Sequence, residues 1–450
     1  MRNSLLNLRA VAVSAASVAV TVSAFMALTM IAASYVGCNK AYASGFELWE
    51  QDSAGAGDYH AGAAVDTDNT GIEYYNPAGM VFLTYNKPQF STGVAYIPIN
   101  TSFNGWISLN GGTHQHTDGW VNSSTENLVP NFHAIYPVSP KWAFGLGVTT
   151  PFGLSTDYPE LVPVGYAATK TKLITININP SVAYKITHWF GVGFGVDAQY
   201  GEADFDSLVP IFNYPSNNHL TGWAWGWNAG AYFKPSVNSA LGVSYRSEVT
   251  FHAHGKGTTT DIITPHKVSV PIKARLPLPA TLTISGEQHF NKLTILTTVE
   301  RTWWSRFDNL VMTGVPNPMA SGSVFNLTAP FGYSDTWNIA VGMHYWLSPR
   351  FMLKLGGGYD MTPTNDKYRD IRLPGTNRWA AAIGARALLS RHIIMDMAWI
   401  HLIPTKEARI NNKGPHGIPF IPPPPTLIIR TNGKARMSGD VIGLQLTALF

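Results

Sequence analysis

The stretch ITININPSVAYKITHWFGVGFGVDAQYG, residues 174–201, decides the fold. In its first half apolar Ile174, Ile176, Ile178, Val182, Tyr184 and Ile186 alternate with Thr175, Asn177, Asn179, Ser181, Ala183 and Lys185. Thr187-His188-Trp189 then forms a short turn. In the second half Phe190, Val192, Phe194, Val196 and Tyr200 alternate with Gly191, Gly193, Gly195, Asp197, Gln199 and Gly201. A period of two sends one set toward lipid and the other toward a polar or small-residue lumen. Each run is about 13 residues long, and roughly 9–11 suffice to cross a bilayer at a barrel tilt. The stretch reads as two membrane-crossing strands joined by a turn.

The same unit recurs along the chain. Trp142, Phe144, Leu146 and Val148 alternate with small residues, as do Trp223, Trp225 and Trp227, and then Leu241, Val243, Tyr245, Val249 and Phe251. Further runs cover 278–289, 292–304, 333–347, 350–361, 376–389 and 391–404, and the last, Ile442 to Phe450, ends on an aromatic residue. Tight turns fall near Ser139-Pro140, Thr187–Trp189, Pro235–Asn238, Asn291-Lys292, Ser348-Pro349 and Ser390-Arg391. Long connections fall near 101–129, 151–170, 203–221, 252–277, 305–332, 362–375 and 405–433. Short turns on one side and long loops on the other are the habit of bacterial outer-membrane barrels. Together they predict an all-β fold, a closed antiparallel barrel of fourteen transmembrane strands. Closure also removes the sheet edges that hydrocarbon would not tolerate.

Composition agrees. Charged residues are 13% of the chain and hydrophobic ones 45%, whereas a soluble domain carries about 25% charge. Residues 1–43 read as an export signal: Arg2 and Arg9 precede an apolar run from Ala10, and Ala41-Tyr42-Ala43 offers a small-x-small cleavage site before Ser44. The single cysteine, Cys38, lies ahead of that site. Without Arg2, Arg9 and Lys40 the mature chain holds 28 basic residues against 27 acidic ones, a balance that gives no reason to expect nucleic-acid binding.

A lumen of fourteen strands is too wide for side chains to fill and needs water or a plug. Residues 44–86 fit a plug. They contain Glu47, Glu50, Asp52, Asp58, Asp66, Asp68 and Glu73, no Lys or Arg, many Gly and Ala, and Phe46, Leu48, Trp49, Tyr74 and Tyr75 as packing material. Residues 87–450 are then the barrel.

Ordered motifs narrow this further. Ser44-Gly45-Phe46, Ser53-Ala54-Gly55-Ala56-Gly57, Asn76-Pro77-Ala78, Leu276-Pro277-Leu278-Pro279, Trp304-Ser305-Arg306-Phe307, Gly332-Tyr333-Ser334-Asp335 and Gly358-Tyr359-Asp360-Met361-Thr362-Pro363 stand in that sequence. The set resembles the FadL/TodX family of outer-membrane transporters for long-chain fatty acids and aromatic hydrocarbons. The resemblance implies capture of an amphiphile by outer loops, transfer to a site touched by the N-terminus, a hatch movement that opens a gap at a kink in the third strand, and sideways release into the bilayer. It makes Phe46, Asn76, Pro77 and Ala78 hatch residues, and Gly145 and Gly147 would permit the kink.

Apolar clusters on loops facing water suit capture of a hydrophobe. Leu208, Val209, Ile211 and Phe212 form one, and Ile262, Ile263, Val268 and Val270 another. Lys256, Lys267, Lys273 and Arg275 are candidate partners for a fatty carboxylate. The same clusters could also simply pack the loops together. The expected ligand is a long-chain fatty acid or another hydrophobic small molecule, carried by a monomer set in outer-membrane lipid with no cofactor.

Other signals are set aside. His114-x-His116 and His252-x-His254 lack a carboxylate or thiolate partner for a metal. Gly55-Ala56-Gly57 lacks the third glycine and the strand–helix setting of a dinucleotide site. Pro419 and Pro422–Pro425 form a stiff loop. His289 and His392 have no nucleophile motif beside them, which argues against an outer-membrane lipid hydrolase.

Overall fold

The computed structural model describes residues 45–160, 163–210, 212–261, 266–318, 322–419 and 426–450. The expected signal segment and cleavage site, and Pro422–Pro425, lie outside the described residues. The wall strands are β1 Gln89–Leu109, β2 Val121–Pro137, β3 Trp142–Thr149 with Gly153–Asp157, β4 Lys170–Lys185, β5 Phe190–Phe205 and β6 Pro215–Ser236. They continue as β7 Ser239–Arg246 with Val249–Thr260, β8 Lys267–Leu278 with Thr281–Phe290, and β9 Leu293–Thr302 with Asn309–Pro316. The last five are β10 Val324–Pro330 with Thr336–Ser348, β11 Phe351–Asp360, β12 Arg378–Leu388, β13 Ile393–Pro404 with Ala408–Pro419, and β14 Thr426–Leu449. Every neighbouring pair is antiparallel. Pairing of β1 with β14, from Gln89↔Leu449 to Leu109↔Ile429, closes the barrel of fourteen strands.

Burial along these strands is inverted relative to a soluble protein. Thr175, Asn177 and Asn179 are fully buried, while Ile176 is 43% exposed and Trp225 70%. Apolar side chains facing out around the ring, with polar ones inside, suit a wall that meets lipid. The tight turns fall where expected, at 138–141, 186–189, 237–238, 291–292, 349–350 and 389–392.

Six of the seven outer connections are shorter than expected, because the strands keep their ladder bonds beyond the apolar band. Residues expected in the fourth loop instead lie in strands: Lys256 in β7, and Lys267, Val268, Val270, Lys273 and Arg275 in β8. The sixth connection, 361–377, folds inward, and its Arg369, Ile371, Arg372 and Leu373 are buried.

Residues 45–86 fill the lumen. They form a tight turn at Gly55–Asp58, one helical turn at Ile72–Tyr75 and a longer tight turn at Pro77–Phe82. Nearly all of residues 49–83 are buried. The absence of basic residues is matched by the wall: Asp58 faces His344, Glu73 faces His133, and Lys354 donates to the Ala54 carbonyl at 2.8 Å. Wall glycines let this segment come close. A Cβ on Gly242 would stand 2.1 Å from the Ala64 carbonyl oxygen, and one on Gly384 would stand 2.6 Å from Cα of Gly57.

Candidate ligand chamber and lateral gap

Strand β3 breaks at Thr150-Pro151-Phe152, between its two segments. Below the break β3 pairs with both neighbours, from Phe132↔Val148 to Pro137↔Ala143 on β2 and from Trp142↔Tyr184 to Thr149↔Asn177 on β4. Above it, Gly153–Asp157 pairs with β4 alone. Strand β2 therefore has no ladder partner on that side above Phe132. The two strands touch again only near the top, where Asp157 N donates to Ser123 Oγ at 2.7 Å and Thr125 Oγ1 to the Ser155 carbonyl at 3.3 Å. Pro130 lies on this open edge, where a missing N–H costs least.

Exposed backbone groups in a membrane wall need partners, and the N-terminal segment supplies some. Leu48 N donates to the Pro151 carbonyl and Gly153 N to the Phe46 carbonyl, each at 2.9 Å. Glu47 and Phe152 form an isolated antiparallel bridge. The gap between β2 and β3 holds a cavity of about 1000 Å³, part of it open to the outside, bordered by Leu48, Leu128, Pro130, Leu154, Lys172 and Ile174.

Inside the barrel this cavity adjoins others. The next, about 960 Å³, shares Leu48, Ile97, Ile99, Gly153, Leu154 and Ser155 with it and reaches Phe46, Arg372 and Leu373. An apolar chamber follows, lined by Phe46, Leu276, Phe307, Leu310, Phe331 and Tyr333, again with Arg372 and Leu373. Above it an outer groove holds Leu208, Val209, Met312, Val315 and Phe325, and shares Phe205 and Arg372 with the chamber. Shared lining residues thus set the outer groove, the chamber and the gap in the wall side by side.

Phe46 is the hub of the chamber. Its ring centroid lies 4.8 Å from that of Trp304, 5.5 Å from Phe307 and 6.0 Å from Phe152. Arg372 brings the charge. Its Nη1 donates to Asp370 at 3.0 Å and its Nη2 to the Ala167 carbonyl, while the buried Nε has no partner among the described residues. A buried guanidinium N–H without an acceptor is costly, and it sits beside three adjoining cavities. Beside the groove, Asp206 accepts from Asn218 N at 3.1 Å, and burial lifts its carboxyl above the ordinary range.

The expected site residues separate into groups. Leu208 and Val209 line the outer groove; Phe212, 37% exposed, does not. Ile211, Ile262 and Ile263 lie outside the described residues. Lys267, Lys273 and Arg275 are exposed on the outer face of the wall, away from the cavities, because Ile272, Ala274 and Leu276 take the inward positions of β8. Phe46 reaches the chamber. Asn76 donates to the Ala64 and Ala231 carbonyls at 2.9 and 3.1 Å and accepts from Ala78 N at 3.1 Å. It starts the turn Pro77–Phe82, which docks on β5 and β6: a Cβ on Gly193 would meet Ala78 N at 2.3 Å, and one on Gly230 would meet the Asn76 side chain at 2.0 Å. Gly145 and Gly147 lie in regular ladder below the break. A Cβ on Gly147 would stand 2.3 Å from the Glu73 carboxylate, so these glycines admit the plug rather than bend the strand.

Arg372 escaped the sequence reading. The available hint was Arg369-Asp370-Ile371-Arg372-Leu373, where two arginines alternate with apolar residues in a chain poor in charge. Among the described residues, Glu202, Asp204 and His219 stand close enough to share a cation, but Lys172 and Lys170 already pair with the two acids at 3.4 and 3.1 Å. His114 stacks on Trp106, His289 meets Thr294 and Glu287, and His392 meets the Leu449 carbonyl.

Residues 34–450 match the family described as outer membrane protein transport protein (OMPP1/FadL/TodX). The chain belongs to this family. Its place is the outer membrane. A FadL/TodX-family relative, the long-chain fatty acid transport protein of Escherichia coli O6:H1, is 28% identical over 388 residues, covering 76% of this chain and 83% of its own. Outer membrane protein P1 of Haemophilus influenzae (strain Rd) is 26% identical over 405 residues, 80% of this chain and 86% of its own. Among solved structures, a Pseudomonas aeruginosa FadL homologue superposes with a TM-score of 0.77 at 22% identity, covering 90% of this chain and all of its own. The Pseudomonas putida toluene transporter TodX superposes at 0.67 with 14% identity, covering 90% and 99%. At these identities the two structures speak for the fold alone.

Proposed function

We propose that this protein passively carries long-chain fatty acids across the outer membrane. Leu208, Val209 and their neighbours in the outer groove take up the acyl chain. The ligand then passes into the chamber around Phe46, with its carboxylate beside Arg372. Movement of the N-terminal segment away from the β3 break opens the way past Leu154 and Ile174, and the ligand leaves sideways into lipid. The hydrophobic effect supplies the driving force, so no energy source is needed in the protein.

The observation that carries this reading is the unpartnered Nε of Arg372 at the junction of the apolar cavities. An acyl chain fits the lining and a carboxylate completes the guanidinium. The names of several relatives, long-chain fatty acid transport proteins, support it. A second reading, uptake of aromatic hydrocarbons, draws on the ring cluster of Phe46, Trp304, Phe307, Phe331 and Tyr333. It gives Arg372 nothing to bind.

The test is uptake of radiolabelled oleate by cells with and without the protein. Uptake should fall when the protein is lost; unchanged uptake of oleate and of every other hydrophobe tried would reject transport. The hatch role of residues 44–86 has its own test. Asn76→Ala with Pro77→Ala removes buried bonds worth roughly 1–3 kcal/mol where the plug docks on β6. The variant should keep a heat-modifiable barrel on electrophoresis and lose uptake. Normal uptake in it would remove that role.

A further inference from the structure

Exposed cations on the outer face of β7 and β8 have no part in the path just described. Antiparallel pairing sets His252 opposite Arg275, His254 opposite Lys273 and Lys256 opposite Pro271. All five ionisable side chains are exposed. The flanking strands bring no free carboxylate. Val311 and Thr313 of β9 stand beside Arg275 and Lys273. On the β6 side Lys256 faces His219, whose Asp204 partner, 2.7 Å away, also holds Lys170. Like charges placed directly across a strand pair repel, and the nearest acids, Asp204 and Glu202, already pair with Lys170 and Lys172, so an anion from outside the chain would relieve the repulsion.

Height on the wall says which anion. Thr221 of β6 pairs with His254, and the strand continues toward the periplasm through Trp223, Trp225 and Trp227, exposed by 54%, 70% and 44%. Exposed aromatic residues of this kind mark the lipid interface. The cations therefore stand at the outer edge of the apolar band, at headgroup level. Their inward neighbours Ile272 and Ala274 are buried, so the patch faces lipid and not the cavities. Lysine and arginine at such a level suit phosphate, which arginine binds through paired N–H donors.

We propose that this face of β7 and β8 binds the phosphate-bearing headgroup of an outer-leaflet lipid, with Lys256, Lys273 and Arg275 as its main contacts. The site is independent of the transport reading. It is tested by titrating the purified full-length barrel in detergent with diphosphoryl lipid A and counting bound lipid by native mass spectrometry. A variant with Lys256→Ala, Lys273→Ala and Arg275→Ala, its fold checked by heat-modifiability, should lose one tightly bound lipid A per chain. At about fivefold per cation lost, affinity at that site should fall roughly 100-fold. Monophosphoryl lipid A should bind the unaltered protein more weakly than the diphosphoryl form, and oleate binding should be the same in both proteins. Equal lipid A retention by variant and parent would overturn the proposal. So would displacement of lipid A by millimolar inorganic phosphate, which would mark a site for the free anion, or loss of oleate binding with lipid A retained, which would mark a capture site for fatty acid.

Discussion

Arg372→Met is expected to weaken oleate binding by about 10- to 100-fold while leaving toluene binding unchanged. A charge-assisted hydrogen bond in a sheltered site contributes roughly 1.5–3 kcal/mol, and each 1.4 kcal/mol is about a factor of ten in affinity. Methionine keeps the length and apolar bulk of the arginine stem, so the chamber should stay filled. Asp370 loses its 3.0 Å partner in this variant; Arg372→Lys, which keeps a cation beside Asp370, should recover part of the affinity. Isothermal titration with oleate, its methyl ester and toluene reads the effect directly. The ester should bind parent and variant alike. An equal loss for all three ligands would show that Arg372 shapes the chamber without recognising a carboxylate.

Closing the gap between β2 and β3 should abolish release without abolishing binding. Leu128 and Ile174 border it from opposite sides and are 70% and 37% exposed. The described residues contain no cysteine, so Leu128→Cys with Ile174→Cys introduces the only reactive pair among them. A short thiol cross-linker across these positions should reduce oleate uptake at least tenfold, whereas a cleavable linker should allow full recovery on reduction. Oleate affinity should be unchanged throughout. Undiminished uptake in fully cross-linked protein would place the exit elsewhere.

Much of the barrel was legible because the lipid-facing residues are the apolar ones. Ile174, Ile176 and Ile178 alternate with buried Thr175, Asn177 and Asn179, and such a pattern has one stable reading in a closed sheet. Legibility stops where strands leave the apolar band. In 252–260, His-Ala-His-Gly-Lys-Gly-Thr-Thr-Thr, the outward residues are polar and the inward ones small. The period is still two, but hydrophobicity no longer displays it, so strand looked like loop and Lys256, Lys273 and Arg275 looked like loop cations.

The site was legible in its parts and not in its assembly. Phe46 stood out as an aromatic residue in a segment rich in Gly and Ala, and it became the hub of the chamber. Gly145 and Gly147 suggested only a place for the strand to bend; Glu73 lies where their side chains would be, and the break follows at Thr150-Pro151-Phe152. Arg372 depends on the inward folding of 361–377, held by Tyr158 Oη donating to the Ile371 carbonyl at 3.0 Å and by Arg369 donating to the Arg409 carbonyl at 2.7 Å. Contacts between such distant parts of the chain leave no local periodicity to read.

A crystal structure of the protein grown with oleate bears most directly on capture in the lumen and exit through the wall. The carboxylate should lie within hydrogen-bonding distance of Arg372 Nε, with the acyl chain among Phe46, Phe307, Phe331 and Leu373 and its end directed toward Leu154. Oleate held only on the outer wall, or a carboxylate bound to another cation with Arg372 Nε still unpartnered, would contradict it.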